Sequence, residues 1–146
     1  MDFDIALKVA VFAHFATTGR APSAQEMAAT LGATPDDVRQ AYARLRANRV
    51  LFLEPDGETI RMAPPFSGVP TQHRVTIGER VYYANCAWDA LGIVAALHEP
   101  SVVHSECAQS HEPLALDVGI DGPAQSAWLF HSLVPAARWW HDLVFT

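Results

Sequence analysis

A short β-like run, Arg80-Val81-Tyr82-Tyr83, leads through Asn85-Cys86-Ala87-Trp88-Asp89 into an apolar helical stretch, Ala90–Leu97. The spacing predicts a strand followed by a helix that begins near Cys86. Cys86 and Asp89 are three residues apart, which places a thiol and a carboxyl on one face of the first helical turn. Unpaired N–H groups and the helix dipole favour negative charge there, so a thiolate is expected to form more easily. The thiolate is the form that attacks or binds soft metals, and a neighbouring carboxyl can carry a proton to whatever the sulfur holds.

Each of these residues also has an ordinary reading. A lone cysteine is commonly small core filler, and Asp is a frequent residue at a helix start. Asn85 is read as the helix cap and Trp88 as a packing residue. One of Tyr82 and Tyr83 faces the core by strand alternation. His98 sits where a cation compensates the helix C-terminus.

The 146 residues suffice for one ordinary domain or two small ones, and 50% hydrophobic content supplies a core. The net charge of -6 argues against a general nucleic-acid binder. No apolar run reaches membrane-spanning length, and Met1-Asp2-Phe3-Asp4 is acidic where a signal peptide is basic. The expectation is a cytoplasmic protein whose two cysteines, Cys86 and Cys107, are reduced, with no membrane partner. None of the seven histidines pairs with another at the close helical spacing of a zinc site.

The fold class expected is α+β. Phe3–Thr17 reads as a helix with Ile5, Val9, Phe12 and Ala16 on one stripe. Ser23-Ala24-Gln25-Glu26 is a capping box opening a helix to Leu31, where Gly32 stops it. Thr34-Pro35-Asp36-Asp37 opens a third helix, to about Asn48, with Val38, Tyr42 and Leu45 buried. Val50–Leu53 and Thr59–Met62 flank an Asp-Gly turn. Three helices and a hairpin give a winged-helix-like head over residues 1–62. Its seven basic and eight acidic side chains argue against DNA as its partner, and so do Asp36 and Asp37 at the start of the third helix. Residues 63–70 read as a linker, with Phe66 tucked against a partner surface.

The second unit, 71–146, is expected as a mixed or antiparallel sheet packed on the central helix. Its strands are Val75–Ile77, Arg80–Tyr83, Ser101–Glu106, Leu114–Val118, Ala127–His131 and Leu143–Phe145. A turn lies at Cys107–Pro113, another at Gly119–Pro123, and a short helix or irregular stretch at Pro135–His141.

The succession resembles the alkylmercury (organomercurial) lyases: a winged head, a Pro-rich stretch, a strand entering Asn-Cys-Ala-Trp-Asp-Ala-Leu, a Val-rich strand, a Cys-centred turn and a Pro-x-x-Leu strand. The resemblance is strongest from about Arg80 to Val118. It implies protonolysis of a carbon–mercury bond, with Cys86 as the first thiolate and Asp89 as the proton carrier. It assigns Cys107 a structural role. Mercury or an organomercurial enters as substrate or bound ion, and no cofactor is required. Mercury(II) is soft and prefers thiolates. The family's second catalytic cysteine follows a strand like Asp142–Thr146, where this sequence stops, so the unit is expected to be truncated or to lack that thiol. His104 or His141 then stands as an auxiliary ligand, and Asp89 as another. A last strand left without a neighbour would invite a homodimer through its edge. The competing reading is a non-catalytic metal-responsive module or winged-helix regulator that senses a ligand through Cys86.

Overall fold

The computed structural model describes residues 2–142. The last predicted strand, Leu143–Phe145, and the dimer edge built on it lie outside the described residues. Helices α1 (Phe3–Thr18), α2 (Ala24–Leu31) and α3 (Pro35–Ala47) come first, followed by strands β1 (Phe52–Leu53), β2 (Ile60–Ala63) and β3 (Phe66–Ser67). Next are β4 (Arg74–Ile77), β5 (Arg80–Tyr83), α4 (Ala87–Leu97), β6 (Ser101–Glu106), β7 (Pro113–Gly119) and β8 (Gly122–Pro123). The architecture is α+β, with antiparallel pairing in both sheets, β1-β2-β3 and β5-β4-β6-β7-β8. No helix of the described residues is long and apolar enough to cross a membrane.

The helix starts follow the capping chemistry. Ser23 and Glu26 satisfy each other's backbone N–H groups at α2, and Thr34 and Asp37 do the same at α3. Val38, Tyr42 and Leu45 are buried as expected. In α1 the buried stripe is Leu7, Val11 and Phe15, whereas Ile5 and Val9 are 54% and 59% exposed. That helix carries apolar residues on more than one face, and Phe15 selects the side that meets Phe66.

Residues 63–70, read as a linker from their prolines, carry β3. Phe66 is 3% exposed. Its ring stacks on Phe15 at 5.2 Å and lies 6.0 Å from Tyr82, joining the head to the larger sheet. The Tyr82 hydroxyl donates to the Ala16 carbonyl at 2.6 Å across the same junction. Gly19, at φ 72°, ends α1 so close to β5 that a Cβ there would lie 2.3 Å from the Val81 carbonyl oxygen. Only glycine accepts both that conformation and that approach.

α4 lies across β4 and β6 and buries Ala90, Ile93 and Val94 in the core that includes Val75 and Val103. The strand expected at Ala127–His131 does not form; the segment is irregular, with Leu129 exposed. The neighbouring sheet edge is the two-residue β8, whose Pro123 has no N–H to offer another strand. A short 3-10 helix follows at Ala136–His141.

Candidate active site at the amino end of the central helix

Cys86, not Asn85, caps α4. Its φ of −152° is extended, and its Sγ accepts from the Asp89 N–H at 3.4 Å. Sulfur thus stands where a serine or aspartate oxygen commonly serves. Asn85 is displaced into a different task. Its Nδ2 donates to Asp89 Oδ2 at 2.8 Å and lies 3.3 Å from the Phe66 carbonyl oxygen and 3.4 Å from that of Pro65. The Asn85 Oδ1 is buried without a hydrogen-bond partner. Cys86, Asp89 and Asn85 are therefore brought together as one cluster.

Burial pushes the Asp89 carboxyl above the usual carboxylate range, and the Asn85 amide opposes that rise. Burial also pushes the Cys86 thiol up. The N–H groups of Asp89 and Trp88 oppose that, while the Asp89 charge adds to it. The sequence expectation of an easily formed thiolate is thus reversed: at this helix start desolvation outweighs the N-terminal field. The pair is a neutral thiol beside a carboxyl with raised proton affinity. A soft cation that binds sulfur must displace the thiol proton.

Trp88, expected to pack, is 54% exposed, and its ring meets Phe130 at 5.5 Å. His98 is the left-handed C-cap of α4, and Tyr82 is the tyrosine that faces the core.

Pairing of Tyr83 with Arg74, and of Arg74 with His104, sets three residues in one row across β5, β4 and β6. Cys86 and Cys107 follow the outer two by three residues each. They therefore emerge at the same end of the sheet, from strand positions about 10 Å apart. Cys107 opens a turn in which it donates its N–H to the Glu112 carbonyl and accepts from the His111 N–H, both at 2.9 Å. Hydrogen bonds from the Ser110 hydroxyl and from the Ser110 and Gln109 N–H groups pull the Cys107 thiol below its usual range. His104 alternates with the buried Val103, so it points to the face opposite α4. Among the described residues, no three His, Cys, Asp or Glu side chains form a metal-holding group, so His104 is not joined to Cys86 and Asp89.

Two residues at this end of the sheet escaped the sequence reading. His73 Nδ1 meets Ser105 Oγ at 2.7 Å, a contact visible only once the β4–β6 register is known. The role of Asn85 was not accessible either, because Asn85 precedes the Cys86 cap and lies outside the helix, where helical spacing does not set its partners. Two clefts of about 440 and 480 Å³ lie elsewhere, one beside Phe3, Leu31 and Arg44 and the other beside Gly78, Ser101 and Gly119.

No curated protein matches the chain. Among solved structures, the crystal structure of the mercury-bound form of MerB2 superposes with a TM-score of 0.68 at 23% identity, covering 87% of this chain. The chain spans 61% of the length of MerB2, and at that identity the likeness shows a common fold. The family profile described as "MerB: Alkylmercury lyase" matches residues 66–145, more than half of the sequence and the part that holds both Cys86 and Asp89. By that match, this chain belongs to the alkylmercury lyase family.

Proposed function

We propose that the protein acts on organomercurials, holding mercury through Cys86 and using Asp89 as the acid–base group. The observation that carries this reading is the placing of Cys86, whose Sγ accepts from the Asp89 backbone N–H, and of the buried Asp89 carboxyl in the first turn of α4, within a chain of the alkylmercury lyase family. In the proposed reaction an S–Hg bond forms as the Cys86 proton passes to Asp89. The carbon–mercury bond then breaks as that proton moves to carbon. The products are a hydrocarbon and a mercury(II) thiolate, with no change in oxidation state. Mercury here is substrate, and the reading calls for no resident cofactor. The raised proton affinity of Asp89 supports its part: it accepts from sulfur readily and stays protonated until carbon takes the proton. A thiol held neutral until the cation arrives suits an electrophile that replaces a proton.

Cys107 is the other cysteine of the sequence, and we assign it to shaping the turn between β6 and β7. A role for the head in nucleic-acid binding finds little support in its charges. Arg20, Arg39, Arg44 and Arg61 are each paired with a carboxylate of Glu26, Asp36 and Glu58, Asp4 or Glu54. Paired guanidiniums offer less to phosphate than free ones. A cytoplasmic location fits reduced thiols. The test is hydrocarbon release from phenylmercury in the presence of excess thiol. Cys86→Ala and Asp89→Asn should fall to the uncatalysed rate, and equal rates in all three proteins would refute the reading.

A further inference from the structure

The geometry points to Asn85 as the positioning residue that orients the Asp89 carboxyl for proton transfer. This inference rests on the function proposed above. Three oxygens surround the Asn85 side-chain nitrogen: Asp89 Oδ2 at 2.8 Å, the Phe66 carbonyl at 3.3 Å and the Pro65 carbonyl at 3.4 Å. The two backbone carbonyls can only accept, so the amide nitrogen must face them and the amide is not turned over. With Oδ2 accepting an N–H, the Asp89 proton belongs on Oδ1. Asn85 therefore selects which carboxyl oxygen carries the proton and fixes the plane of the group.

The anchor is rigid because it lies outside α4. Pro65 and Phe66 belong to the stretch that also packs on the helix, where a Cβ on Gly92 would stand 3.2 Å from Pro65 Cβ. Asn85 thus ties the acid to a second backbone segment, and α4 cannot rotate without breaking that tie. Its buried, unpartnered Oδ1 is an orphan acceptor beside the site. Such an atom is costly in a residue retained only for packing.

The experiment compares wild type with Asn85→Ala in two readings. Mass spectrometry of the phenylmercury adduct measures binding at Cys86, and single-turnover benzene release measures cleavage. Asn85→Ala is expected to form the adduct at wild-type level and to cleave about a hundredfold more slowly, the scale of a misplaced reacting group. Cleavage at the wild-type rate would overturn the inference. Wild-type protein that binds without cleaving would sink the proposed function instead. The orientation itself is then read by nuclear magnetic resonance. The Asn85 side-chain amide protons should exchange slowly in wild type and faster in Asp89→Ala. Equal exchange in the two proteins would overturn the inference, whatever the turnover.

Discussion

Truncating Phe66 to alanine tests whether the head and the larger sheet share one core. The ring is 3% exposed and stacked on Phe15, with Phe12 and Tyr82 as further neighbours. Deleting a buried phenyl group costs about 3–5 kcal/mol, because the cavity closes only partly. For a chain of this length each kcal/mol shifts the melting temperature by about 2–4 °C, so a fall of roughly 6–20 °C is expected. Phe66→Leu keeps most of the volume and should lose under about 1.5 kcal/mol. Leu129→Ala, at a side chain 90% exposed, should change stability by less than about 0.5 kcal/mol. The assay is urea unfolding followed by two probes. Far-ultraviolet circular dichroism is weighted to the helices, most of which are in the head. Tryptophan fluorescence reports Trp88, Trp128, Trp139 and Trp140, which all follow the head in sequence, although Trp140 packs on the head's Phe52 and Trp140→Phe serves as the background for this probe. Both transitions should move together in Phe66→Ala. A loss under about 1 kcal/mol, or a shift of the dichroism transition alone, would refute the shared core.

Asp89→Asn should raise stability at pH 8 and leave it unchanged at pH 3. The folded carboxyl holds its proton more tightly than the unfolded one, so its contribution is complete below the unfolded pKa and is lost as pH rises through the folded pKa. Melting curves of the two proteins at both pH values check the sign; a variant less stable at pH 8 would contradict a desolvated carboxyl. The two thiols should separate by reactivity. Iodoacetamide near pH 7.5 is expected to alkylate Cys107 before Cys86, since hydrogen bonds pull the first thiol down and burial pushes the second up. Peptide mapping at short times reads the order, and faster labelling of Cys86 would reverse the electrostatic account.

The helices of the head were legible because their signals are local. Ser23 with Glu26 and Thr34 with Asp37 announce their caps within four residues. The strand-turn-strand unit around Gly78 was equally direct. Where the sequence misled, long-range packing made the decision. Pro64, Pro65 and Pro70 give residues 63–70 the composition of a linker, yet Phe66 found a core formed by Phe15 and Tyr82, far away in the chain. Apolar periodicity in α1 fitted two stripes, and only the partner surface chose Leu7, Val11 and Phe15. At the site, the spacing put Cys86 and Asp89 in one helical turn, where the Asp89 N–H reaches the sulfur, but it did not show the burial that reverses the thiol's expected acidity. A helix dipole can be read from position, whereas desolvation depends on what packs on top.

The central claim concerns one proton moved from sulfur through Asp89 to carbon. Phenylmercury turned over in deuterium oxide measures that path directly, since the hydrogen delivered to the ring comes from an exchangeable site. The wild-type protein should release monodeuterated benzene, and Cys86→Ala and Asp89→Asn should release none above the background without protein. Monodeuterated benzene formed by Asp89→Asn at the wild-type rate would contradict the assignment of the proton to that carboxyl.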